Sequence, residues 1–121
     1  MNKEEITISD LIRLIESGKK VRLKGWLLAQ FFGVYESAIN ANVRVLIQSN
    51  VVKPSPDCGF KQSSRILLPE VYDLEMIIAL AFRINSPKTA EFREWVLKKM
   101  IHKIEKRVVI FHQINDLQML N

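Results

Sequence analysis

The sequence predicts a mainly helical α+β fold with one small β-hairpin, and three observations carry that expectation. Apolar residues recur at three-to-four spacing in five separate stretches, the period of one buried helix face. The four glycines and four prolines fall at the borders of those stretches rather than inside them. Residues 50–65 break the periodicity with Pro54, Pro56, Gly59, Ser63 and Ser64, as a loop or hairpin tip does. With 121 residues, 48% hydrophobic and 26% charged, the chain fits one soluble domain with a true core and excludes a disordered or collagen-like one.

The elements follow in order. Ser9 stands as an N-cap before Leu11, Ile12 and Ile15, predicting a helix over 10–17 that Gly18 stops. Residues 19–24 alternate basic and apolar side chains, a half-buried strand or an extended link. A second helix is expected over 26–32, closed by Gly33, and a third over 35–48 with Ile39, Val43, Leu46 and Ile47 inward. Val51-Val52-Lys53 and Arg65-Ile66-Leu67-Leu68 are the candidate hairpin strands. Asp73 caps a helix over 74–84, apolar almost all round and so central. Ser86-Pro87 starts another, since serine caps well and proline suits the first helical position. That helix is expected to reach Glu105 and to bury Ala90, Phe92, Val96, Met100, Ile101 and Ile104. Arg107 to Phe111, β-branched and aromatic, reads as a strand that either pairs with Val21–Leu23 or covers a subunit interface.

Charge and composition narrow the chemistry. Residues 19–65 carry eight basic side chains against two acidic ones, whereas residues 1–18 and 66–97 are net acidic. A basic third of the chain points to a polyanionic partner. The longest uncharged apolar stretch, Met76–Phe82, is too short to cross a bilayer, and a lone cysteine fits a reducing, cytoplasmic setting. No glycine cluster cradles a phosphate, and Cys58, His102 and His112 lack metal-ligand spacing. Cys58 reads as an exposed loop thiol. No cofactor, metal or membrane association is expected, and no enzymatic activity.

Residues 25–44 have the grammar of a helix-turn-helix. Ala29 is small enough for two helices to cross closely, Gly33 tolerates a left-handed turn, and Ile39 faces back into the corner of Leu28, Phe32 and Val34. Asn42 departs from the pattern at a commonly apolar position, with Val43 taking over the packing. The polar face of the second helix then offers Tyr35, Ser37, Asn40, Arg44 and Gln48 to a major groove. Asparagine suits an adenine edge and arginine a guanine edge or a phosphate. Glu36 on the same face argues mildly against a phosphate neighbour. Lys53, Lys61 and Arg65 fall on the hairpin, where a wing would grip the backbone, with Lys19, Lys20, Arg22 and Lys24 assisting from the approach segment. The expected architecture is therefore winged helix-turn-helix-like over 10–68, a helical pair over 69–106, and a C-terminal strand or tail over 107–121.

The run Val71-Tyr72-Asp73-Leu74 through Phe82-Arg83-Ile84-Asn85-Ser86, followed by Phe92-Arg93-Glu94-Trp95, resembles the signature of the virulence-protein RhuM family. Leu28 to Val34, with Ile39 and Val43, is similar to that family's helix-turn-helix-like segment. The likeness spans residues 21–104, while the N-terminal helix differs from the family's usual start. It implies a DNA-binding-like protein of bacterial chromosomes, phages and mobile elements, and it supplies no catalytic residues. Within the signature, Arg83 and Asn85 are expected to tie a helix-to-helix turn through carbonyl groups. The function expected is transcriptional regulation on double-stranded DNA as a homodimer. The alternative is an antirepressor-like adaptor that keeps the scaffold for protein contacts.

Overall fold

Thr7 opens the first helix. In the computed structural model, which describes residues 6–63 and 65–119, α1 spans Ile8–Glu16. The Thr7 hydroxyl accepts from the Asp10 N–H, and the Asp10 carboxylate accepts from the Thr7 N–H at 2.9 Å, a reciprocal capping box. Ser9, the expected cap, lies inside the helix. Threonine followed three residues later by a carboxylate was the stronger signal.

α2 spans Gly25–Phe32 and stops where Gly33 takes φ 66° and ψ 37°, with its N–H on the Ala29 and Gln30 carbonyls. This left-handed residue costs a glycine almost nothing and turns the chain into α3, Glu36–Gln48. α3 buries Ile39, Val43 and Leu46 against α2. Asn42 is no misplaced core residue. Its amide donates to the Ala38 carbonyl at 2.8 Å, and its oxygen accepts from Arg83 Nε at 2.8 Å, tying α3 to the end of α4 (Leu74–Ala81).

After α3 the chain runs without a strand through residues 51–55. A short 3-10 turn, Pro56–Cys58, leads into β1, Phe60–Ser63, which pairs antiparallel with β2, Ile66–Pro69. The second hairpin strand matches the expectation. The first does not, because Val51–Lys53 precedes two prolines that cannot donate to a ladder, and the pairing begins only beyond them. Leu23 and Tyr72 exchange backbone hydrogen bonds of 3.0 and 2.7 Å, so the extended link 19–24 is held by the segment after β2, not by the C-terminal residues. Val21 and Leu23 are buried and Lys20 and Lys24 exposed, as the alternation requires.

Asp73 caps α4 by accepting from the Met76 N–H, and Met76, Ile77, Leu80 and Ala81 are buried. Ser86 and Pro87 begin α5, Pro87–Met119, with the Ser86 hydroxyl accepting from the Thr89 N–H at 3.1 Å. Here the structure corrects the sequence reading most. Residues 107–111 continue the helix; they form no strand. A solitary strand would leave a ladder of amides without partners, whereas a helix satisfies its own backbone, and the modest helix penalty of Val108, Val109 and Ile110 is the smaller cost. No glycine or proline follows Pro87 to stop it.

One core cluster joins α1, the 19–24 link, α2, α3, β2, α4 and the start of α5. Phe92 and Val96 enter it as expected. Ala90, Met100, Ile101 and Ile104 do not: they are exposed, Ala90 on the outer side of the packed stretch and the other three beyond Val96, the last residue of α5 in the core.

The helix-to-helix turn before α5 is clasped by a different arginine than expected. Arg93 Nη1 donates to the Ala81 carbonyl at 2.7 Å, the Ile84 carbonyl at 2.9 Å and the Thr89 hydroxyl at 3.2 Å. Arg83 reaches Asn42 instead, and Asn85 is exposed.

Candidate nucleic-acid interface

The polar side of α3 divides into two parts. Ser37, Ala41, Val45 and Gln48 form an exposed stripe opposite Ile39, Val43 and Leu46. Tyr35, just before the helix, is 86% exposed. Asn40 and Arg44 lie at the edge of that stripe, half-buried and engaged. The Tyr72 hydroxyl donates to Asn40 Oδ1 at 3.4 Å, and Arg44 Nη2 donates to the Ser63 hydroxyl on β1. Asn40 is thus partly committed to the body. Arg44 fastens the hairpin to α3.

That fastening decides where the other basic residues fall. Ser63 and Ile66 are the last cross-strand pair, so Arg44 holds the hairpin near its tip, beside the middle of α3. Lys61 is exposed on β1 and Arg65 is exposed in the turn two residues past Ser63. Lys53 is exposed just after α3, where Asn50 turns the chain with φ 60°. The N-terminal helix α1 packs on α2 and α5.

Two of the expected phosphate contacts belong to the fold. Lys20 Nζ and Arg22 Nη2 meet the same Asp57 oxygen at 2.6 and 2.7 Å, joining the link before α2 to the 3-10 turn. With the Lys20, Ser55 and Arg22 hydrogen bonds, Asp57 is held well below the usual carboxylate range. A carboxyl depressed in the folded state contributes stability above its ordinary value of 3.8 and loses it as the pH falls toward its folded value. Asp57→Asn is therefore expected to lower the melting temperature at neutral pH, with the gap from the parent protein closing below about pH 4. Melting curves across a pH series check this, and a gap that widens in acid contradicts it. Lys19 and Lys24 remain exposed on the link.

Glu36 is turned away from the stripe. Its Oε1 lies 3.3 Å from where a Cβ on Gly25 would sit, at the start of α2, next to the Tyr72 ring. Burial, then the Glu36 charge, pushes the Tyr72 hydroxyl up from its ordinary value. The carboxylate thus sits at the positive end of α2, a favourable place for an anion. Gly25 is what admits it so closely.

No family model, curated protein or solved structure matches the chain.

Among the described residues no group of three or more metal-ligating side chains gathers, and no helix is long and apolar enough to cross a membrane. Cys58 is a buried thiol rather than the exposed one expected, and burial pushes its ionisation up. His102 is exposed on α5. The His112 side chain lies outside the described residues. One feature escaped the sequence reading: Trp26, placed there in an apolar helix, is 51% exposed at the first turn of α2 beside Lys24. A run of eight mostly apolar residues hides which one faces out, because its periodicity is weak.

Proposed function

We propose that the protein binds double-stranded DNA through α2, α3 and the β1–β2 hairpin, as a winged helix-turn-helix regulator. The single observation that carries this is the Arg44–Ser63 hydrogen bond, which sets a basic hairpin beside a solvent-facing helix. α3 would lie in the major groove with Tyr35, Ser37 and Gln48 toward base edges, and with Asn40 and Arg44 at its margin. Lys53, Lys61 and Arg65 would meet phosphates on one flank, and Lys24 with Trp26 on the other, where the first helix of such a pair crosses the backbone. The resemblance to the RhuM family supports a role linked to phages or mobile elements, and agrees with a transcriptional one.

Fluorescence anisotropy with mixed-sequence duplexes across a salt series tests the reading. Affinity should fall steeply as salt rises, because each phosphate contact releases counterions. Failure to bind at low salt, or binding indifferent to salt, overturns the reading and leaves the adaptor alternative, in which the same face takes a protein.

A further inference from the structure

We infer that the distal half of α5 is a self-association arm, pairing with α5 of a second copy as an antiparallel two-helix coil. Leu97, Ile101, Ile104 and Val108 are each between 43% and 53% exposed and follow one another at intervals of four, three and four residues. A four-three alternation is the spacing of the a and d positions of a heptad, the repeat that keeps an apolar seam facing another helix of the same repeat. From Leu97 to Met119 the helix is about 35 Å long, enough for three heptads. In proteins most helical stability comes from packing an apolar face against a neighbour, so a partner face is called for.

Two observations select a second copy, and its direction. The first is the placement of the seam. α5 turns Phe92, Trp95 and Val96 toward the body, whereas Ala90, Glu94 and Leu97 face solvent. The seam therefore continues along the exposed, outer side of α5 past Val96, the last residue of the helix in the core. The apolar groove of about 260 Å³ between α5, Ile15 and Leu74 lies on the other side, so the two surfaces do not compete.

The second observation is charge. Of the basic residues on this stretch, Lys99, Lys103 and Lys106 fall on the outside of the coil. Lys98, which also pairs with Glu94 along the helix at 3.0 Å, and Glu105 flank the seam on one side, and Arg107 flanks it on the other. In an antiparallel pair with Ile101 over Ile104 and Leu97 over Val108, Lys98 of each copy comes beside Glu105 of the other, and the pairing is repeated by the two-fold axis. A parallel pair places Met100 opposite Glu105 and gains nothing from either charge. The arm is self-complementary in one direction only.

Self-association goes beyond the DNA reading and is tested without DNA. Sedimentation equilibrium of the full chain over a concentration series should approach twice the 14.1 kDa chain mass, and Ile101→Glu with Ile104→Glu should return it to one chain mass. Both residues lie outside the core, so the variant's thermal melting should stay cooperative. Direction is read from disulfides. Chains carrying Leu97→Cys should cross-link to chains carrying Val108→Cys in a mixture, and neither should cross-link alone. Reversing one charge, Lys98→Glu, should weaken association several-fold, and adding Glu105→Lys should restore it. A parent chain that stays at 14.1 kDa, or a Leu97→Cys chain that cross-links to itself, overturns the inference, whatever the result with duplexes.

Discussion

Lys61→Ala combined with Arg65→Ala is expected to weaken binding to every duplex by a similar factor and to flatten the salt dependence. Each phosphate contact contributes about 0.9 to the slope of log affinity against log salt, so the pair should remove roughly 2. Both side chains are exposed and neither enters the core, so the folded state should be unaffected. Anisotropy titrations of parent and variant at several salt concentrations measure the slopes. Equal slopes would mean that the hairpin does not touch the backbone, and the winged reading would fail. Ser37→Ala supplies the contrast. A hydroxyl on α3 that meets base edges should, when removed, change discrimination between sequences and leave the slope alone.

Phe92→Ala should cost about 3–5 kcal/mol of folding stability. The ring is 0% exposed, 6.1 Å from Phe32 and 5.8 Å from Trp95 by ring centroids. It joins α5 to α2 at the one stretch where the long helix meets the body. Removing it opens a cavity among side chains that cannot all collapse inward. A loss of this size is a large share of the 5–15 kcal/mol typical of a small domain. Urea titration should show a lower midpoint with an unchanged slope. A shift worth less than about 1 kcal/mol would show that α5 is anchored elsewhere.

Local determinants were legible in the sequence because each acts within a few residues. Gly33 ends α2, Asp73 caps α4, and Ser86-Pro87 opens α5, each where the chemistry of the residue predicts. The exposed stripe of α3 followed from its three-to-four pattern. Partnerships across the chain were not legible. Lys20 and Arg22 counted toward a basic patch until Asp57, more than thirty residues away, proved to hold both. Net charge records how many cations there are and says nothing of which are already matched. Arg93 took the turn expected of Arg83 for the same reason, since the position of Asn42 on a different helix decides where Arg83 goes.

The end of α5 differs for another reason. Residues 107–111 have the side chains of a strand, but the pairing partner expected for them, Val21–Leu23, is taken by Tyr72. The apolar residues Met100, Ile101 and Ile104 were assigned to the core because their spacing is helical. Periodicity identifies a face that wants covering, and it does not say whether the cover comes from the same chain.

Ser86 and Lys88, at the root of α5, both reach back to the end of α2. The Ser86 hydroxyl donates to the Phe32 carbonyl at 2.6 Å, and Lys88 Nζ donates to the Gln30 carbonyl at 3.4 Å. These carbonyls belong to the last turn of α2, immediately ahead of the bend into α3. The long helix is therefore welded to the corner and is not tethered to it by slack chain. The direction in which α5 leaves the body is thereby coupled to the orientation of the α2–α3 corner.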